Sequence, residues 1–275
     1  MQEAGAPGNK KNACVEQVVE DWSEQGAAPQ SMDWVAEEVA IALVYNNVSH
    51  AVMMASPVDL KAFALGFSLT EGIIDSDNDI YDIAIEQQDS GITVALTISN
   101  RCFTRLKQWR RNLTGRSGCG ICGTESLEHT FTPIEKITAD FTISHASINR
   151  AVISLNTFQP IQRLTGAVHG AAWCEADGSI VHLCEDIGRH NALDKLIGIL
   201  WHDAVFRRPG FLLISSRASY EILQKSAKAG IAAVVAVSAP TSLAISIAQQ
   251  ANITLVGFSR KNRHVTYNGG ERIIN

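Results

Sequence analysis

The spacing of apolar residues changes character along this chain. Two apolar runs, Glu38–Tyr45 and Val48–Met54, flank Asn46-Asn47 and predict a β-hairpin, because paired asparagines tolerate left-handed turn geometry. Ser56-Pro57 then predicts a helix start, with serine as cap and proline at the first helical position. Leu60, Phe63, Ala64 and Phe67 share one face of that helix, and Gly72 ends it. Glu71 reads as a solvated helix end. Ile80–Glu86 and Ile92–Ser99 predict two strands joined through Asp89-Ser90-Gly91. Asn100 is a candidate cap for a helix running to about Leu113, on which Cys102, Leu106, Trp109 and Leu113 form one buried stripe. A short helix over Ala146–Leu155 stops at Gln159-Pro160.

Beyond residue 160 the pattern becomes that of a buried sheet. Ala167–Cys174 and Ser179–Cys184 predict a hairpin around Asp177-Gly178. Glu185 and Asp186 open a helix with Leu193, Leu196, Ile197 and Leu200 inward. Three apolar runs follow, Phe211–Ser215, Ile231–Ser238 and Ile253–Phe258, separated by helices over Tyr220–Ala229 and Leu243–Gln250. Strands alternating with helices of about ten residues predict βαβ units and a parallel sheet. The fold class is therefore α/β, with an α+β N-terminal part. The expected organisation is a flexible segment over 1–32, an N-terminal α+β part over 33–125, a connection over 126–160 and a C-terminal α/β domain over 161–275.

Composition narrows the function classes. A net charge of −5 argues against general nucleic-acid binding. Six cysteines, at 14, 102, 119, 122, 174 and 184, are too scattered for a secreted disulfide framework. No secretory h-region and no run of membrane-spanning length occurs. The expectation is a cytoplasmic protein with reduced thiols and neither nucleic acid nor membrane as partner.

The candidate chemistry centres on Arg116-Ser117-Gly118-Cys119-Gly120-Ile121-Cys122-Gly123. Two thiols in C-x-x-C spacing can share a metal, a disulfide or a carried sulfur, and the glycines let a bulky partner approach. Six basic residues and no acidic one lie between Arg101 and Arg116, with Arg101, Arg105, Gln108 and Arg111 on one helix face. Such a surface would favour the thiolate and attract phosphate. Ligands of open α/β sheets bind beyond the carboxyl ends of the strands. That rule selects Ser215-Ser216-Arg217-Ala218-Ser219, Ser238-Ala239-Pro240-Thr241-Ser242 and Phe258-Ser259-Arg260-Lys261-Asn262-Arg263. Hydroxyls at helix starts and three clustered cations suit a phosphate-bearing ligand. Simple capping is the competing account for Ser219 and Ser242. Asp186 and Asp194 lie four residues either side of His190, where both could stabilise its charged form. His169 precedes small residues and could donate a hydrogen bond or proton.

Zinc and thioredoxin-type redox chemistry compete for the thiol pair. A closed zinc site needs four ligands, and only Cys119 and Cys122 have ligand spacing. Zinc deaminases carry H-x-E and P-C-x-x-C, and neither occurs here. The thioredoxin motif lies early in a βαβ unit, whereas this one follows a basic helix in mid-chain.

Gly118–Gly123, Glu185-Asp186-Ile187-Gly188-Arg189-His190-Asn191-Ala192-Leu193-Asp194-Lys195, Ser215–Glu221 and Ala239-Pro240-Thr241 together closely resemble the FdhD family, the formate dehydrogenase accessory sulfurtransferases. The resemblance runs from about Glu37 to the C-terminus and includes Ser56-Pro57 and Gly66-Phe67…Glu71-Gly72. At Ala167-Val168-His169-Gly170 the family usually has glycine before valine and alanine after histidine. The resemblance implies a cytidine deaminase-like three-layer fold with no tightly held metal of its own. It implies a homodimeric sulfurtransferase that takes persulfide sulfur from an IscS-like cysteine desulfurase. The recipient would be the molybdenum (or tungsten) bis-molybdopterin guanine dinucleotide cofactor, a bound substrate, before the cofactor enters the formate dehydrogenase catalytic subunit. The carrier would be Cys119 and the assisting thiol Cys122, with His169 and His190 as further catalytic candidates. Phe258, Ser259, Arg260, Lys261, Asn262 and Arg263 would hold the cofactor's guanine nucleotide, joined by Ser216, Arg217, Ser219 and Thr241. A cofactor chaperone that uses no thiol, or a zinc-binding deaminase-like protein, would be the alternative.

Overall fold

The structure, a computed structural model, describes residues 13–111, 134–138, 140–202 and 208–275, with side chains omitted at 109–111. Its first strands are β1 (Cys14–Val19), β2 (Trp22–Ser23), β3 (Gly26–Ala27) and β4 (Ser31–Ala36). Antiparallel pairing of β1 with β4 and of β2 with β3 makes a ribbon where the sequence showed little periodicity. Cys14 is buried at its base.

The N-terminal unit comprises β5 (Val39–Tyr45), β6 (Val48–Ala55), α1 (Leu60–Thr70), β7 (Ile80–Gln88), β8 (Gly91–Ile98) and α2 (Asn100–Arg111). Its sheet has the order β6-β5-β8-β7. The predicted hairpin turn at Asn46 and Asn47 is present, both with positive φ. Leu43, Tyr45, Phe63, Val94, Leu96, Cys102 and Leu106 pack into one core between this sheet and its helices. Cys102 is therefore a core residue, as its place on the stripe predicts.

Three expectations at helix ends need correction. Ser56 does not cap α1; Asp59 precedes the helix in a left-handed conformation with no side-chain cap. At α2 the Ser99 hydroxyl, one residue before Asn100, accepts from the Cys102 amide at 3.4 Å. Glu71 is not merely solvated, because its carboxylate pairs with Lys225 at 2.9 Å.

The C-terminal unit runs through β9 (Ile143–Ser144), α3 (His145–Ser154), α4 (Pro160–Thr165), β10 (His169–Glu175), β11 (Ile180–Asp186) and α5 (Arg189–His202). It continues with β12 (Gly210–Ile214), α6 (Tyr220–Lys228), β13 (Ala233–Ala236), α7 (Ser242–Ala251), β14 (Thr254–Arg260), β15 (Arg263–Asn268) and β16 (Ile273–Ile274). The main sheet has the order β11-β10-β12-β13-β14-β15. The pairs β12–β13 and β13–β14 are parallel, as the alternation of strand and helix predicts. Along each strand successive side chains enter opposite cores. Leu212, Ile214, Val234 and Leu255 pack with the helices α5, α6 and α7. Phe211, Leu213, Val235 and Val256 pack with α3. The result is a mixed α/β fold with helices on both faces of the larger sheet.

The two units meet along α1 and α5. A Cβ on Gly66 would lie 1.8 Å from the Asp194 carbonyl oxygen, and one on Gly198 would lie 2.0 Å from that of Ala62. Glycines on both helices thus bring their backbones into contact. Two buried charge networks flank this crossing. Asp186 does not open α5; it ends β11, and its carboxylate meets the Lys195 ammonium at 2.6 Å with both side chains fully buried. It also accepts from the amides of Ser56 and Gly188 and from Asn191 Nδ2. Lys195 donates to the Ser56 carbonyl at 2.9 Å. In the second network Lys225 reaches Thr70, Glu71 and Asp194, each at 2.9 Å. Burial works against the Lys225 ammonium, but Asp194 and Glu71 more than offset it and hold its pKa above the ordinary lysine value.

Candidate functional site

Arg116, Cys119 and Cys122 lie outside the described residues. The helix leading toward them is described to Arg111, and its basic face is partly neutralised. Arg101 reaches Asp75 at 3.0 Å and Asp79 at 3.1 Å, and Arg105 reaches Asp75 at 2.9 Å. Partial burial works to raise the Asp79 pKa. Hydrogen bonds from Ser99, the Asp75 amide and Arg101 outweigh it and hold the carboxyl well below the usual range. Asp75, Asp79 and Cys102 are the grouping closest to a metal-ligand set among the described residues. The two guanidinium groups already balance its carboxylates, which makes it a brace between α2 and the loop before β7.

A cleft of about 630 Å3 opens at strand ends of the C-terminal unit. His169 opens β10 on one side of it, and Ser215 and Val237 stand just past β12 and β13. Ser259 and Arg260 end β14 and Lys261 follows in the turn, while α3 and the turn into α4 supply Val152, Leu155 and Gln159. Reciprocal bonds between Gly170 and Ser215 lock the strand ends: the Gly170 amide donates to Ser215 Oγ at 2.9 Å and the Ser215 amide to the Gly170 carbonyl at 3.0 Å.

The Phe258–Arg263 stretch divides into different roles. Phe258 is exposed with a φ of 50°, beside a register shift between Gly257 and Arg260. Such irregularities re-aim side chains at sheet edges. Ser259 is fully buried, and its hydroxyl has no hydrogen-bond partner. The Arg260 guanidinium contacts the Val237 carbonyl and also donates to the Ser259 carbonyl at 3.3 Å. Asn262 clasps Asn149 of α3 through bonds of 3.0 and 2.8 Å. Arg263 begins the return strand, where His264 Nδ1 sits 3.2 Å from His145 Nδ1. Of the six residues, Ser259, Arg260 and Lys261 face the cleft, while Phe258, Asn262 and Arg263 lie off its walls.

Apart from Ser215, the hydroxyl-rich turns also lie off those walls. Thr241 caps α7 by accepting from the Ala244 amide at 3.2 Å. Ser219 occupies the cap position of α6 without making the cap bond, and its hydroxyl is buried without a partner. Ser216 donates to the Arg217 carbonyl at 3.1 Å, and Arg217 itself is exposed. A bridge between Ala218 and Pro240 ties the two turns together.

The two histidines differ. His169 is half-buried in the cleft wall, and burial, reinforced by the charges of Arg189 and His190, pushes its pKa down. It can therefore act as a neutral donor or acceptor near pH 7. His190 does not take Asp186 or Asp194 as its partner; both carboxylates are bound in the buried networks. Its Nε2 lies 2.7 Å from Glu221 on α6, with Arg189 at 3.6 Å from the same carboxylate. Burial works to raise the Glu221 pKa, but His190, Arg189 and Lys225 hold it below the usual range. Glu185 likewise leaves α5 and binds the amides of Ile161 and Gln162 at 3.1 and 2.8 Å, fixing the start of α4. Sequence reasoning missed Glu221 as the partner of His190, and Gln159 as a wall of the cleft. The Tyr220-Glu221 pair stood in a recognised motif, and Gln159 was read only as the residue before a proline.

Among the described residues no helix is long and apolar enough to cross a membrane. The sulfur carrier protein FdhD of Cupriavidus necator (strain ATCC 17699) is 49% identical to this chain over 249 residues, which is 90% of this chain and 86% of that protein. A crystal structure described as a formate dehydrogenase accessory protein from Desulfotalea psychrophila superposes with a TM-score of 0.72. It is 23% identical and covers 95% of this chain and 100% of its own, a likeness of fold. The model of the FdhD/NarQ family matches residues 36–274, the whole of both units and the cleft between strand ends and α3. The chain belongs to the FdhD/NarQ family.

Proposed function

We propose that this chain is a sulfur carrier serving formate dehydrogenase, acting through a persulfide on Cys119. Its kinship with the Cupriavidus sulfur carrier is the observation that carries the reading. The first step resembles thiol–disulfide exchange. The Cys119 thiolate attacks the outer sulfur of a desulfurase persulfide; the old S–S bond breaks, and the desulfurase thiolate leaves. The recipient is the bis-molybdopterin guanine dinucleotide cofactor, with molybdenum or tungsten. In the second step the Cys122 thiolate attacks the inner sulfur of the Cys119 persulfide; a Cys119–Cys122 disulfide forms, the outer sulfur leaves as sulfide for the cofactor, and an external thiol reductant reopens the disulfide for another cycle. A homodimer acting in the cytoplasm completes the reading, and the larger sheet with helices on both faces supports a cytidine deaminase-like fold.

The cleft suits the nucleotide end of that cofactor. Arg260 and Lys261 supply positive charge in a net acidic chain, and Val152, Leu155 and Val168 supply an apolar wall. Neutral His169 stands beside it as a hydrogen-bonding group. Intact-protein mass after incubation with a cysteine desulfurase and cysteine tests the carrier role. Wild type is expected to gain one or more reductant-sensitive sulfurs, and Cys119→Ala to gain none. No gain in wild type, with the desulfurase shown active, would leave the cofactor chaperone as the better account. Arg260→Glu is expected to weaken GDP binding about tenfold or more while the sulfur gain persists, since it reverses a charge on the cleft. Unchanged GDP affinity in calorimetry would remove Arg260 from the site.

A further inference from the structure

We infer that the ribbon of β1 to β4 is a docking arm, which takes up an extended, basic segment of a partner protein by strand addition. All of the ribbon but its last residue, Ala36, precedes the stretch that the family model matches. The inference therefore stands apart from the sulfur-transfer reading.

The ribbon is anchored at its base. Cys14 is buried there with Ala13, Ile161 and Val168, and the Glu37 amide donates to the Ala13 carbonyl at 2.8 Å. From Val15 to Val35 every residue except Val19 and Gly26 is exposed. Strand pairing sets Cys14, Glu16 and Val18 opposite Ala36, Trp34 and Met32, so these six share one face. Trp34, Val18 and Met32 carry the apolar base outward as a stripe, with Val18 60% and Met32 57% exposed. Trp22, nearer the tip, is 70% exposed.

A two-stranded ribbon is only marginally stable in water, and open apolar edges invite pairing with another chain. Among the described residues neither β1 nor β4 has a second strand neighbour. Each offers a row of backbone donors and acceptors along its outer edge. Lysine, proline or a bulge commonly blunts such an edge. Neither strand carries a lysine or a proline, and their register is unbroken.

Charge selects the occupant. Glu16, Glu20, Asp21, Glu24 and Asp33 are all exposed, and residues 14–36 contain no lysine, arginine or histidine. These five carry as much negative charge as the whole chain does in net, −5. None of them forms an ion pair among the described residues. A second copy of the ribbon would set acids against acids, and a phospholipid surface would set phosphate against carboxylate. A strand that alternates lysine or arginine with aliphatic residues suits both features. Its cations meet the acids, its apolar side chains cover Val18, Met32 and Trp34, and its backbone completes the open edge.

The test is fluorescence anisotropy on the full chain with three capped peptides: alternating lysine and valine, alternating glutamate and valine, and alternating lysine and proline. Wild type is expected to bind the lysine–valine peptide at least about tenfold more tightly than the other two, since glutamate is repelled and proline cannot donate to a strand edge. Val18→Ser combined with Met32→Ser is expected to weaken that binding about tenfold by removing the apolar stripe. Glu16→Lys combined with Asp33→Lys is expected to reverse the preference between lysine and glutamate peptides. All four positions are exposed, and melting curves check that the fold is retained. Equal binding of the lysine–valine and lysine–proline peptides would overturn strand addition. Lysine–valine binding unchanged in both variants would overturn the ribbon as the site. A dimer in sedimentation that the double serine variant dissolves would assign the ribbon to a second copy and overturn the proposal. Binding to phosphatidylserine vesicles that the same variant loses would assign it to a membrane, with the same consequence.

Discussion

Lys195→Met is expected to destabilise the protein by about 3–5 kcal/mol, the usual cost of removing one partner of a buried ion pair. For a chain of this size that corresponds to a melting temperature lower by roughly 10 °C. Lys195 and Asp186 are fully buried and 2.6 Å apart. Methionine matches the length and apolar stem of lysine, so the loss reports the charge rather than a cavity. It leaves the Asp186 carboxylate with the Ser56, Gly188 and Asn191 donors but without a counter-charge. It also leaves the Ser56 carbonyl without its lysine donor. Ser56 belongs to the N-terminal unit, so the damage crosses between units. Adding Asp186→Asn to the same variant is expected to recover part of the loss, because it removes the unbalanced charge. A melting temperature within 2 °C of wild type, a limit set at about 1 kcal/mol or less, would show that this pair contributes little.

Gly66→Val is expected to cost more than about 3 kcal/mol, at the upper end of overpacking effects. The obstacle is backbone: the new Cβ would stand 1.8 Å from the Asp194 carbonyl oxygen, 2.7 Å from its carbon and 2.9 Å from the Gly198 amide. No rotamer relieves a clash that begins at Cβ, so α1 and α5 must separate. Separation would pull Thr70 and Glu71 away from Asp194 and Lys225, adding strained polar bonds to the cost. Faster proteolysis between the units and a broadened or divided melting transition would accompany the loss. Gly270→Ala is a matched control, since its nearest contact would be the Thr266 methyl at 3.7 Å. That variant is expected to stay within about 0.5 kcal/mol of wild type, as for ordinary surface changes. A normal, single transition in Gly66→Val would sink the close helix crossing.

Both predictions concern residues that stand in legible motifs yet do something other than their local spacing suggests. Ser56-Pro57 has the look of a helix start, but α1 begins at Leu60 and Ser56 serves Asp186 and Lys195. Glu185 and Asp186 have the look of acids at a helix start; one caps α4 and the other sits at the end of a strand. Asp194 lies four residues from His190 in sequence, but its carboxylate is taken by Thr70 and Lys225. In each case a long-range partner with a full opposite charge, or an unmatched buried amide, outbid the weak local preference.

What the sequence by itself determined is the order of elements and the chemistry available to them. Period-two and period-3.6 patterns located the hairpin at Asn46-Asn47, the stripe through Cys102 and Leu106, and the βαβ run from Phe211 onward. Those signals are local, arising from which side of one element must leave water. Motif order from Glu37 onward pointed to the family that the comparisons show. The strand-end rule led to Ser259, Arg260 and Lys261, because a parallel sheet opens its ligand sites at one edge. Only the tertiary structure decided which charges meet. It joined His190 to Glu221 and Lys225 to Glu71, set Gln159 against Gly170 in the cleft wall, and sent Asn262 to Asn149. These partners lie between 11 and 154 residues apart (Gln159 to Gly170, Glu71 to Lys225). Their meeting depends on how sheets and helices stack, and an unpaired buried charge or donor is costly enough that stacking settles on arrangements that match nearly all of them.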